Sequence, residues 1–335
     1  MFFYVIIIKN PKFITGMVME NNNITVADLF AGIGGIALGL KRAGFKISWA
    51  NEMDHNACIT YATNFDHKLY ECEIQKLDPN QLPKVNMIAG GFPCQAFSIA
   101  GYRKGFSDTR GTLFFEIMRL VDVIQPEYLF LENVKNLERH DKGNTFKVIL
   151  HELEKRGYFV KYKVLNTCDY SDVPQNRERI YIVAFKNKKI YEAFEFPKKS
   201  TKRKSICDLL DSTADKKYYY DNKSNFFPIL KKEMKNKCTV YQWRRVYLRE
   251  NKNNLCPTLT ANMGMGGHNV PLILDSKGIR KLTPRECARF QGFPETYKLP
   301  QIANSALYKQ FGNSVSVPVI EAVGKEIIKA IKKVS

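Results

Sequence analysis

An α/β fold built on a mostly parallel sheet is predicted by three features of the sequence. From Ile24 to about Phe185, short β-rich runs alternate with helical patterns, as expected of βαβ units. The first run leads straight into a glycine-rich turn and a helix, DLFAGIGGIALGL (28–40). The chain has 335 residues, of which 44% are hydrophobic and 12% aromatic, enough to bury a large core or two medium ones.

Strands are predicted, in order, over ITVADLF (24–30), KISWANE (46–52), VNMIAG (85–90), EYLFLEN (127–133), YFVKYKVL (158–165) and RIYIVAF (179–185). Helices are predicted over 35–43, 55–64, 112–125 and 144–156, the last with Phe146, Ile149, Leu150 and Leu153 on one face. After Phe185 the texture changes to lysine-rich and aromatic sequence without clear period, which places a second, smaller and irregular domain at 187–279. Regular pattern returns at LTPRECARFQGFP (282–294), where Thr283 caps a helix beginning at Pro284. A Gly-Asn turn and an amphipathic helix end the chain, so residues 280–335 form a C-terminal segment after a main domain at 24–186.

Residues 1–23 read as an N-terminal extension. MFFYVIIIKNPKF has a short apolar stretch but neither a basic n-region nor a small-residue cleavage site, and Met17 or Met19 could also begin the chain. No apolar run is long enough to span a bilayer. The eight cysteines form no C-x-x-C pair and show no regular spacing beside histidine. Neither a zinc site nor a disulfide framework is therefore expected, and a reducing cytoplasm fits. A formal net charge of +19 points to a polyanionic partner, since each neutralised phosphate releases condensed counterions.

In the first turn, Gly32, Gly34 and Ala37 fit G-x-G-x-x-[GA], and Glu52 ends the next strand 18 residues beyond Gly34. Glycines that admit close backbone contact and a carboxylate for ribose hydroxyls suit a nucleoside cofactor. The literal match is to a dinucleotide oxidoreductase, yet Phe30 precedes the glycines and the chain offers no hydride-transfer constellation. Its next distinctive run is GGFPCQAFSIAG (90–101). There a proline fixes the backbone beside Cys94 and glycines allow sharp turning, which presents a thiol rigidly or buries a small hydrophobe.

Taken together and in order, DLFAGIGG, NEMD (51–54), GGFPCQAFS, RGTLFFEIMRLV (110–121), LENVKN (131–136), QNRERIYIVA (175–184), RKLTPRECARFQGFP (280–294) and KQFGNSVSVPV (309–319) resemble the bacterial DNA (cytosine-5)-methyltransferases of restriction-modification systems. The likeness runs from about Ile24 to the end of the chain. It implies a Rossmann-like S-adenosylmethionine-dependent methyltransferase domain with a target-recognition domain at 187–279. Double-stranded DNA would be the substrate, in a cytoplasmic, nucleoid-associated monomer paired functionally with a restriction endonuclease. An RNA cytosine-5 methyltransferase would use the same catalytic motifs.

Cytosine C5 is a poor nucleophile, so something must first add to C6, and a thiolate both adds and leaves readily. The resemblance assigns that role to Cys94. It assigns the N3 contact to Glu132, which must then be protonated, the cytosine O2 to Arg179, and support of the catalytic loop or backbone to Arg177. For the cofactor it implies Phe30, Gly32 and Gly34 as the floor, Glu52 at the ribose, and Met53, Glu73 and Ile74 around the adenine. Pro93, Leu113, Asn313 and Val315 complete the wall. A base inside a duplex must be flipped out to be reached, and SIAGYRKGFSDTRG (98–111) suits a loop closing over it. Gln95, Ser98, Arg103, Lys104 and Arg110 are its DNA-contact candidates. In the second domain Arg244, Arg245 and Arg249 are candidates because arginine pairs bidentately with guanine.

Overall fold

A computed structural model describes residues 24–93, 113–244, 246–251, 253–264 and 269–335. Strand β1 (Thr25–Leu29) is followed by α1 (Gly35–Ala43), β2 (Lys46–Glu52), α2 (His55–Ala62), β3 (Lys68–Glu71) and β4 (Met87–Gly91). Next come α3 (Leu113–Ile124), β5 (Tyr128–Val134), α4 (Asn144–Lys155), β6 (Phe159–Asn166), α5 (Thr167–Tyr170), β7 (Gln175–Asn176) and β8 (Glu178–Phe185). Seven strands form one sheet in the order β3-β2-β1-β4-β5-β8-β6. The first five are parallel, and β8 runs antiparallel to both of its neighbours.

The central strands are covered on both faces, so they are apolar at successive positions rather than alternately. On β5, Tyr128 and Phe130 join the core beneath α1 and α2, while Leu129 and Leu131 join the core beneath α3 and α4. The predicted helical face of residues 144–156 is the one that packs, with Phe146, Ile149 and Leu153 buried and Leu150 partly so.

Further along, α6 (Lys188–Ala193) and α7 (Phe227–Glu233) precede β9 (Tyr241–Arg244), β10 (Tyr247–Glu250), β11 (Cys256–Pro257), β12 (Pro271–Leu274) and β13 (Ile279–Lys281). Here the structure is more regular than the sequence suggested. A four-stranded antiparallel sheet, β10-β9-β12-β13, covers a small core of Leu230, Met234, Tyr241, Val270, Leu272 and Ile279. The short β11 pairs in parallel with β7, joining this region to the first. Among the described residues one disulfide, Cys207–Cys238, forms where cysteine spacing predicted no framework, with Cα atoms 4.9 Å apart. The two residues are 31 apart in sequence, so the pairing depends on the tertiary fold and no local spacing reveals it.

The chain then runs through α8 (Pro284–Phe290), α9 (Asn304–Asn313) and α10 (Val317–Val334). Thr283 caps α8 as predicted: its hydroxyl accepts from Glu286 N while Glu286 Oε2 accepts from Thr283 N. The Gly-Asn pair expected to make a turn instead ends α9, Gly312 and Asn313 being its last residues. Helix α10 lies along α1 and buries Ile320, Val323 and Ile327 completely. Each contributes roughly 1.5–3 kcal/mol relative to exposure, so the C-terminal segment is part of the first core.

Candidate functional site

Open α/β sheets place their sites where the parallel strands end. A cleft of about 530 Å³ opens there, lined from the ends of β1 (Phe30, Gly32), β2 (Glu52, Met53), β4 (Gly91, Phe92, Pro93) and β5 (Glu132, Asn133, Val134). Because β8 runs the other way, its beginning meets the same edge and adds Arg177 and Arg179. The end of α9 supplies Lys309, Gln310 and Asn313, with Val315 beyond it.

One half of the cleft is the glycine turn. Phe30, Gly32 and Gly34 all have positive φ, at 52°, 54° and 78°. A Cβ on Gly32 would meet nothing within 4 Å, so its bare backbone faces open space. At Gly34 a Cβ would lie 2.2 Å from the Phe65 ring. Gly34 thus serves helix packing and does not line the cleft. Glu52 fastens the turn: Oε2 accepts from Gly32 N at 2.7 Å, and Oε1 accepts from Met53 N and Asp54 N at 2.8 Å. A carboxylate oxygen has lone pairs beyond these, and the Met53 side chain stands 69% exposed at the rim. Ile74, Pro93, Leu113, Asn313 and Val315 also line this space. Glu73 does not, being exposed and 3.8 Å from Lys76, while Cys72 and Gln75 do.

The other half is charged and nearly dry. Glu132 is 7% exposed, and burial raises its carboxyl above the usual range against the lowering pull of Arg179 and Arg177. Arg179 Nε lies 3.2 Å from Glu132 Oε1, close enough for an ion pair. It lacks hydrogen-bond alignment, which leaves Oε1 without a hydrogen-bond partner among the described residues. Arg177, 2% exposed, donates to the carbonyls of Leu259 (2.9 Å), Gly312 (3.3 Å) and Ser314. Burial, with Arg179 alongside, pulls its guanidinium down to about 9. Glu178 between them points away and accepts from Lys135 at 2.9 Å, as strand alternation requires.

Cys94, Gln95, Ser98, Arg103, Lys104, Arg110 and Arg245 lie outside the described residues. The residues flanking the first six, Pro93 and Leu113, both line the cleft. Asn133 holds the near flank, donating to the Phe92 carbonyl at 2.8 Å. Elsewhere burial pushes the Cys58 thiol up to about 12 and raises those of Cys168, Cys256 and Cys287, the opposite of what a nucleophilic thiolate needs.

Sequence reasoning missed several lining residues. Lys309 Nζ pairs with Asp54 Oδ2 at 2.7 Å at the cleft, holding that carboxyl below its usual range. Gln310 accepts from the Thr60 hydroxyl at 2.9 Å. NEMD and KQFG are both recognisable as motifs, but nothing local shows that they meet across 255 residues.

Fold and cleft together define an α/β enzyme with a nucleoside-binding turn beside a buried carboxylate–guanidinium pair. The family model for "C-5 cytosine-specific DNA methylase" matches residues 24–329, and the chain belongs to that family. It is 52% identical over 313 residues to the Type II methyltransferase M.Bsp6I of Bacillus sp. (strain RFL6), covering 92% of this chain and 99% of that protein. It is 40% identical to M1.ScrFI of Lactococcus lactis subsp. cremoris, covering 91% and 78%. Among solved structures, the DNMT2 of Spodoptera frugiperda shares the fold with a TM-score of 0.73 at 21% identity, covering 91% of this chain and all of that one.

Proposed function

We propose that this chain transfers a methyl group from S-adenosylmethionine to C5 of a cytosine flipped out of a short, specific duplex DNA site. The observation that carries the reading is Glu132, buried at the cleft with an oxygen lacking a hydrogen-bond partner among the described residues and a guanidinium 3.2 Å away. The cofactor fits the glycine-turn half: Gly32 leaves bare backbone, Glu52 keeps lone pairs free, and Phe30, Met53, Ile74, Pro93, Leu113, Asn313 and Val315 give an apolar and amide wall. When bound, S-adenosylmethionine supplies a methyl group made electrophilic by its sulfonium.

The residues then divide the work. The Cys94 thiolate adds to C6, forming the S–C6 bond and moving the C5–C6 electron pair onto C5. Protonated Glu132 donates to N3 and accepts from the exocyclic amine, which draws electron density from the ring. Arg179 hydrogen-bonds O2, while Arg177 holds the backbone around it. The electron pair on C5 forms the bond to the incoming methyl group, and loss of the C5 proton to water then restores the C5–C6 double bond as the S–C6 bond breaks and the thiolate departs.

Residues 24–186 with 280–335 are the catalytic unit in this reading, and residues 187–279 the target-recognition unit. Gln95, Ser98, Arg103, Lys104 and Arg110 contact DNA beside the flipped base. The similarity to Type II methyltransferases supports a role in shielding host DNA from a partner endonuclease, by a monomer in the cytoplasm that forms no stable complex with that nuclease. Duplex DNA carrying 5-fluorocytosine tests the mechanism. A covalent adduct should form with the wild-type chain and methyl donor and be absent for Cys94→Ser. No adduct from a preparation that methylates ordinary duplex overturns it, and modification of tRNA but not duplex moves the substrate to RNA.

A further inference from the structure

Glu52 owes its aim in the cleft to residues beyond its own strand. Its Oε1 is held by Met53 N and Asp54 N, so where the carboxylate points depends on how residues 53 and 54 are fixed. Asp54 is the anchor of that corner. Its Oδ1 accepts from Ala57 N at 3.2 Å and caps α2, while its Oδ2 accepts from Lys309 Nζ at 2.7 Å. The next residue of α9, Gln310, accepts from the Thr60 hydroxyl, so α9 grips α2 near both of its ends. Asp54, Lys309 and Gln310 all line the cleft.

Folding has little use for the Lys309–Asp54 pair. The Lys309 side chain is 56% exposed and that of Asp54 32%, and exposed ion pairs stabilise folding only slightly. Nor does the α2 cap need Lys309, because the other carboxylate oxygen makes it. What the pair adds is order at the cleft. Leu307, Tyr308 and Phe311 bury α9 in the molecule, so Lys309 reaches Asp54 from a rigid base. A support of this kind lowers the ordering cost of binding a ligand to the group it holds. Lys309 also keeps the Asp54 carboxyl below its usual range, so the pair stands charged at neutral pH. None of these residues lines the polar groove of about 710 Å³ where Arg244 and Arg249 stand, which separates this corner from the DNA-contact candidates of the second region.

We propose that Lys309 is a positioning residue for the cofactor, fixing Glu52 through Asp54 at the place where the ribose hydroxyls of S-adenosylmethionine bind. The inference rests on the S-adenosylmethionine-dependent reading above. Lys309 acts on cofactor affinity and not on the methyl-transfer step. The ribose is common to S-adenosylmethionine and to the S-adenosylhomocysteine left after transfer, so both should depend on Lys309 alike.

Titration calorimetry on the full chain without DNA measures the binding of both nucleosides, and kcat is measured on duplex DNA at saturating cofactor. Lys309→Ala should weaken both nucleosides about five-fold. Its kcat should be unchanged, and thermal unfolding of the cofactor-free chain should stay within about 2 °C of wild type. Lys309→Arg keeps the charge and should restore affinity. Asp54→Asn keeps a good cap and loses the charge, so it should weaken binding as much as Lys309→Ala does, and the double variant should be no weaker than either. Unchanged affinity in Lys309→Ala, additive losses in the double variant, or a fall in kcat without one in affinity overturns the proposal. A wild-type chain that binds neither nucleoside would instead overturn the parent reading.

Discussion

Glu132 can donate to a pyrimidine only while it carries a proton, so its environment sets a pH limit. Burial raises its folded-state pKa, and the two arginines oppose that shift without reversing it. The active, protonated form is therefore lost as pH rises through the raised value, and kcat should fall on the alkaline side. Glu132→Gln keeps the shape but cannot transfer the proton. Its kcat should drop about 10²–10⁴-fold and lose that alkaline limb, with cofactor affinity preserved. A second carboxyl makes a separate prediction. Asp28 is fully buried, its Oδ2 accepts from Ala37 N at 3.2 Å, and its Oδ1 has no hydrogen-bond partner among the described residues. Burial pushes it from the ordinary 3.8 to about 8. The folded chain thus keeps a proton that the unfolded chain releases, and stability contributed below 3.8 is lost as pH climbs to about 8. The unfolding free energy of wild type relative to Asp28→Asn should decline across that window and level off beyond it, as denaturant titrations at several pH values would show. Glu132 can be picked out in the sequence through the family resemblance of LENVKN, since a carboxylate after an apolar run is by itself ordinary. Asp28 sits inside a recognisable motif, but its burial depends on α1 folding back over β1.

At the scale of elements, legibility follows the strength of the local pattern. Strands β5 and β8 are continuous apolar runs and are legible almost to the residue, and the Thr283 cap is readable because a capping box is written in four consecutive positions. Strand β3 escapes sequence reading: KLYE is four residues long and nowhere fully buried. The direction of β8 escapes it too. Yet the stretch between β6 and β8 holds only the one-turn α5 and the two-residue β7, too little for the crossover that a parallel neighbour needs. Helix α8 shows how much a short motif can conceal. Arg280 pairs with Glu286 Oε2 at 2.7 Å and Asp275 Oδ2 at 2.6 Å, and both Arg280 and Glu286 are fully buried. In the sequence Arg280 stands beside Lys281 and reads as surface. Arg280→Ala would strand the Glu286 charge in the interior, which costs about 3–5 kcal/mol. Thermal unfolding should show that loss, while Lys325→Ala, whose pair with Glu321 is solvent-exposed, should change little.

The whole molecule supplies what no segment contains. The cleft draws lining residues from near position 30 to position 315, and Arg177 binds carbonyls from two separate stretches of the chain at once. Motif order signals that such a site exists, but which side chains touch is set by the topology of the sheet. The packing of α10 on α1 carries a further consequence for biosynthesis. As the ribosome works from one end, the apolar flank of α1 emerges nearly three hundred residues ahead of the helix that covers it. For that interval the nascent chain must hold an uncovered greasy surface and an unfinished pocket. The last lining residue of the pocket, Val315, comes just ahead of the helix that covers that surface.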